Sequence, residues 1–153
     1  MSRNLIFVVI SLVSVLCYAQ SNAPEFSLSD ISHGGITKAQ AEKLLIIALE
    51  HQKYDLSLDG VFVDGDLEDK HGNPPHPGYY DFSLGYDTPN AGAIEYWGLF
   101  SVSSQTGDIW EINQCQRIKF HELQRIQREI MKKTGATFAS EVVQRRGLGC
   151  TDE

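Results

Sequence analysis

Basic charge is scarce in this chain of 153 residues, which sets 13 Lys and Arg against 20 Asp and Glu for a formal charge of −7. An acidic balance lacks the cationic footprint of a nucleic-acid or anionic-membrane binder. Long apolar runs are scarce too. Beyond the first, none reaches the ~18 residues of a membrane-spanning helix, so the mature chain is not expected to cross a bilayer. Cysteine is limited to 3 residues, and neither Cys115 nor Cys150 has another Cys or a His at zinc-ligand spacing. Gly34-Gly35 lacks the following glycine and the preceding strand of a phosphate loop. No Ser/His/Asp set follows from spacing, so no catalytic residue, metal or cofactor is assigned. What remains is ordinary: 42% apolar and 22% charged residues exclude wholesale disorder and give one globular domain.

The N-terminal stretch is the exception. Arg3 gives a short positive start and Leu5–Leu16 an apolar run of secretory length. Cys17-Tyr18-Ala19 then offers small residues ahead of Gln20. Residues 1–19 are therefore expected to be a signal peptide cut near Ala19, leaving a periplasmic or secreted chain. Export makes the cysteines informative. With Cys17 gone, Cys115 and Cys150 remain, and two thiols in an oxidising compartment favour one disulfide. It would pin the tail 135–153 and constrain the unfolded chain by roughly 3–4 kcal/mol in the loop-entropy picture. Two free buried thiols are the second reading and a metal pair the third.

Residues 20–36, rich in Ser, Asn, Pro and Gly, read as a flexible lead-in to a single domain over 37–134. Thr37-Lys38-Ala39-Gln40 is a capping box. Ala41, Leu44, Leu45, Ala48 and Leu49 then recur at helical spacing, widened by Ile46 and Ile47, as in a helix cradled by a sheet. It should end near Tyr54. Gly60–Asp64 is a short strand candidate. Tyr80, Phe82, Leu84 and Tyr86 alternate with Asp81, Ser83 and Gly85, the period of a half-buried strand. In the longer strand Ala93–Ser103, parity assigns Ile94, Tyr96, Phe100 and Val102 to one face and Glu95, Trp97, Leu99 and Ser101 to the other. Gln105–Asp108 is a tight hairpin turn and Asp108–Ile112 its return strand. A second helix follows over Lys119–Thr134, with Gly135 as its cap. Asn113–Ile118 stays unassigned. The order gives an α+β fold, an N-terminal helix packed on a curved antiparallel sheet of three to four strands, followed by a C-terminal helix.

Asp64-Gly65-Asp66-Leu67-Glu68-Asp69 has the look of a calcium loop. However, Asp69 stands where that loop needs Gly, and Pro75 where it needs the bidentate Glu. The reading kept for Asp64, Asp66, Glu68 and Asp69 is electrostatic steering of a basic partner. His71 and His76 sit in a Pro-stiffened loop that would lose little entropy on binding. With nearby carboxylates, they carry the alternative reading of a small exported metal-binding protein or enzyme. Most aromatic residues should be core. Tyr79 and Trp97, on the minority parity, are expected to be partly exposed and to anchor an interface. Glu95 and Glu111 are placed across the Gln105–Asp108 hairpin from one another, as solvated carboxylates.

The stretch Glu95–Glu111, with its Thr106-Gly107-Asp108 turn, resembles the strand–turn–strand of PepSY-like and cystatin-like exported domains. The helix start Ile36–Ala41 is similar to theirs too. Some periplasmic immunity proteins, which neutralise secreted toxins, share this size, leader and element order. The resemblance implies a small binding module without catalytic residues and transfers no functional residue. The sequence thus predicts an exported non-enzymatic protein-binding module, most concretely a periplasmic immunity or inhibitor protein. Its acidic loop would block a basic secreted toxin or cell-wall hydrolase. Asp64, Asp66, Glu68, Asp69, His71, His76, Tyr79 and Trp97 are the expected contacts.

Overall fold

The computed structural model of the chain describes residues 26–65, 67–88 and 92–150. The expected leader and Asp66 lie outside the described residues. The capping box forms. Thr37 Oγ1 accepts from Gln40 N at 3.3 Å, and Gln40 Oε1 accepts from Thr37 N at 2.7 Å. These bonds satisfy two orphan donors and start helix α1, Lys38–His51. Five strands follow in chain order as an antiparallel sheet: β1 Val61–Asp64, β2 Tyr79–Thr88, β3 Ala93–Ser103, β4 Ile109–Glu111 and β5 Gln116–Arg117. Helices α2, His121–Thr134, and α3, Val142–Arg146, complete the described chain. The fold is α+β. The strand beyond the expected three to four is β5, whose two residues are too few to show a period.

One sheet face packs on the helices. Phe82, Leu84, Phe100, Val102 and Ile109 are buried against Ala41, Leu44, Leu45, Ala48 and Leu49 of α1 and Leu123, Ile126 and Ile130 of α2. The broad stripe of α1 therefore faces a sheet, as its width requires. The β3–β4 turn sits where both helices meet. Gly107 has φ +68, and a Cβ there would lie 2.7 Å from Ile130 Cδ1 and 2.9 Å from Leu44 Cδ2. Only glycine combines that φ with that closeness. Gln127, buried on α2, donates from Nε2 to the Gly107 carbonyl at 2.9 Å.

Three expectations need correction. Residues 26–36 are tied down: Ile31 and Ile36 are buried, and Lys133 Nζ donates to the carbonyls of Leu28 at 2.8 Å and Ser29 at 3.2 Å. The parity of β3 is also broken. Leu84 pairs with Gly98 but Gly85 pairs with Tyr96, so Trp97 is an extra, bulged residue. A bulge flips every side chain beyond it. Ile94 and Tyr96 are therefore 51% and 68% exposed and do not share the core face of Phe100 and Val102. Trp97 is half-buried, stacked on Tyr86 at 5.4 Å and Tyr54 at 6.5 Å. Finally, Glu111 lies opposite Phe100, and Glu95 opposite Tyr86, so the two carboxylates do not face one another.

Candidate partner-binding surface

The β1–β2 connection is acidic, Pro-rich and internally built. Asp69 Oδ1 accepts from His71 N at 2.7 Å and Asn73 N at 2.9 Å, and Asp69 N donates to Asn73 O at 2.8 Å. Those backbone donors hold the Asp69 carboxyl below the usual aspartate range. Asp69 is thus the turn former of the loop, an Asx role, while Glu68 and His71 are exposed around it.

His76 closes the loop onto the sheet. Its Nδ1 donates to Asp81 Oδ1 at 2.7 Å and its backbone N to Asp81 Oδ2 at 3.2 Å. Ser101 Oγ donates to the same Asp81 Oδ1. The structure so assembles a Ser, a His and an Asp that no spacing suggested. The geometry does not suit nucleophilic attack. Serine and imidazole both point at one carboxylate oxygen, and Ser101 is fully buried, out of reach of a substrate. The trio is a clamp. His71 is bonded elsewhere, through its own backbone to Asp69. Among the described residues no group of three or more His, Cys, Asp or Glu is placed to hold a metal ion.

The sheet face opposite the core carries the C-terminal tail. Register places Tyr79, Asp81, Ser101, Ser103, Trp110 and Arg117 on that face. Tyr79, Trp110 and Leu148 form a second small apolar cluster, and Cys115 is joined to Cys150 beside it. Below the tail runs a buried polar network. Asp108 Oδ1 accepts from Arg117 Nε at 2.6 Å, and Oδ2 from Trp110 Nε1 at 3.1 Å. Glu141 accepts from Ser103 Oγ, and from Thr106 Oγ1 at 2.6 Å. Burial pushes the Glu141 carboxyl above its ordinary range, against those two hydroxyls. Tyr79, expected to be a partly exposed anchor, is only 3% exposed. The tail covers it, so it is not available to a partner.

The open surface lies at the other end of β3. Strand β4 pairs only with Phe100–Val102, and beyond it Asn113 Oδ1 caps Leu99 N at 2.9 Å. Residues 93–98 are left with a strand partner on the β2 side alone. A cleft of about 480 Å³ opens there, lined among others by Leu67, Ser83, Tyr96, Trp97, Leu99 and Glu111. The structure thus brings Trp97, but not Tyr79, to one surface with the end of the acidic loop. It adds Tyr96, Leu99 and Glu111, which no sequence pattern had singled out as contacts. Parity had hidden Tyr96 in the core.

A family model described as type VI secretion system (T6SS) immunity protein Tgi2PP matches residues 35–142. The chain belongs to that family. It is a toxin-neutralising immunity protein. The match covers more than Ile36–Glu111 and supports the immunity part of the resemblance, with no particular kinship to PepSY-like or cystatin-like domains. No curated protein matches the chain. Among solved structures, the immunity protein is similar to a chain of a type VI secretion system effector–immunity complex from Pseudomonas protegens. The two are 57% identical with a TM-score of 0.80, over 84% of this chain and 100% of that one.

Proposed function

We propose that the immunity protein is exported to the periplasm and neutralises a type VI effector by binding over its working surface, with no chemical step of its own. The likeness to the whole length of a chain in an effector–immunity complex carries this reading. The physical features agree with it. The formal charge is −7, and the loop around Glu68 is exposed and stiffened by Asp69 and the His76 clamp. A pre-organised acidic loop raises the encounter rate with a basic surface and loses little entropy on docking. A basic toxin, such as a cell-wall hydrolase, fits that charge.

Reversal of Asp64, Asp66 and Glu68 to Lys, with Asp69 left in place to hold the turn, tests the steering role. Association with the Pseudomonas protegens effector is expected to slow about tenfold at low salt, and its salt dependence to flatten. Stopped-flow binding reads both. An on-rate and salt slope equal to those of the unaltered chain would remove the loop from the mechanism.

A further inference from the structure

We infer, resting on the toxin partner proposed above, that a cationic face of the toxin docks on the uncovered half of the sheet face opposite the core. It lies over the apolar strip of Phe62, Leu99, Tyr96 and Ile94, and its Lys or Arg side chains meet Asp87 and the acidic loop at the border.

The first observation is how the strip is built. Ser83 pairs with Leu99, Gly85 with Phe62 on one side and Tyr96 on the other, and Asp87 with Ile94. Register puts these side chains on the face that carries Tyr79 and Asp81 at its other end. The tail covers that other end, whereas Ile94 and Tyr96 are 51% and 68% exposed. The Trp97 bulge makes the difference. Unbroken alternation from Phe100 and Val102 would send Ile94 and Tyr96 to the core face, and the extra residue turns them out. A Cβ on Gly85 would lie 2.5 Å from Phe62 Cζ, so the missing side chain lets the Phe62 ring lie over β2, the strand between it and Tyr96. Leu67, from the acidic loop, lines the same cleft as Leu99 and Tyr96. Adjoining apolar side chains left in water mark an interaction surface.

The second observation is charge. Between Lys70 and Arg117 the sequence has no Lys or Arg, so β2, β3 and β4 carry acid alone. Asp64 and Asp87 are exposed on the face of the strip, and Glu68 is exposed in the adjoining loop. The bases sit elsewhere, among them Arg125, Arg128, Lys132 and Lys133 on α2 and Arg145 and Arg146 on α3. An apolar centre with an acidic border complements a basic protein surface, because Lys and Arg lay their carbon stems on apolar groups and turn their charge to the rim. The same border repels a second copy of this chain, which would bring acid against acid. Val143 is apolar and 77% exposed, but it lies on α3 beside bases, so it separates the effect of this face from that of exposed apolar area in general.

Binding to the effector of the Pseudomonas protegens complex is compared across three variants: Ile94→Ser with Tyr96→Ser, Asp87→Lys, and Val143→Ser. All alter exposed residues, and a thermal melt reports whether each folds. The double variant should weaken affinity roughly 30-fold or more. Asp87→Lys should slow association and flatten its salt dependence, and Val143→Ser should change neither. In the unaltered chain, bound effector should slow amide hydrogen exchange at Ile94–Leu99 and leave α2 and α3 as they were, a readout that needs no variant to fold. If the unaltered chain fails to bind the effector, the toxin partner falls and the docking face with it. If it binds, a double variant within about threefold of it, or protection confined to the helices, overturns the docking face alone. Sedimentation of the free protein should show a monomer. A dimer broken by the double variant would give the strip to a second copy and overturn the inference.

Discussion

Asp108→Ala is expected to lower the stability of the protein by about 3–5 kcal/mol, the cost of removing one partner from a buried charge cluster. Asp108 is fully buried and accepts from Arg117 Nε at 2.6 Å and Trp110 Nε1 at 3.1 Å. Arg145 Nε lies 3.9 Å from its second oxygen. Without the carboxylate, two guanidinium groups remain under the tail with no counter-charge at that point. The Trp110 indole N–H also loses its acceptor. Arg145 still donates to the Phe138 carbonyl at 2.5 Å and Arg117 still stacks on the Phe138 ring, but neither contact neutralises charge. Urea denaturation should show a lower midpoint with the slope retained. Asp108→Asn, which keeps the shape and part of the hydrogen bonding, should fall between. A loss below about 1 kcal/mol for the alanine variant would place these groups in the class of solvated pairs.

The second large effect belongs to the disulfide. Replacing Cys115 and Cys150 together by Ser is expected to cost about 3–4 kcal/mol by releasing the closed loop in the unfolded chain. The bridge spans a sequence separation of 35 and lies beside the cluster of Tyr79, Trp110 and Leu148, so its removal also frees the end of the tail to fray. Reductant should destabilise the unaltered protein to a similar extent and leave the double variant unchanged. Because Asp108 and the disulfide hold the same tail, their combined loss should be smaller than the sum of the separate losses. Strict additivity would show that the network and the bridge act on independent units.

The parts of this fold legible in the sequence are those set by local rules. The Thr37–Gln40 box marks the start of α1, and the Thr106-Gly107-Asp108 turn marks the hairpin, because capping and positive φ are decided by neighbours in the chain. The outer face was not legible. Asp108 lies in a turn, Arg117 on β5, and Glu141 and Arg145 one helical turn apart at α3, and no period relates the first two to that pair. Strand alternation placed Tyr79 correctly on the face away from the main core, but alternation does not say what covers a face. The tail does. On β3 the single bulge at Trp97 reverses the expected exposure of Ile94 and Tyr96.

The surface reading shows the same division. The acidic loop is visible from composition, and an Asp two residues before His71 and ahead of Gly72 holds the signal of an Asx turn. The Ser101 arm of the His76–Asp81 clamp has no such signal, because it needs β2 and β3 in register. Sequence alone pairs Glu111 with Glu95 across the hairpin. In the register of β3 and β4 it is instead a buried carboxylate at the end of a strand, opposite Phe100.

Titrating the type VI effector proposed as the protein's target with residues 20–153, and measuring the toxic activity left at each ratio, tests the central claim most directly. Neutralisation by surface binding predicts a linear fall that is complete at equimolar immunity protein and does not progress with time. Two outcomes would contradict it: toxicity that persists under excess folded protein, or toxicity that disappears over time at far less than equimolar amounts, as turnover would require.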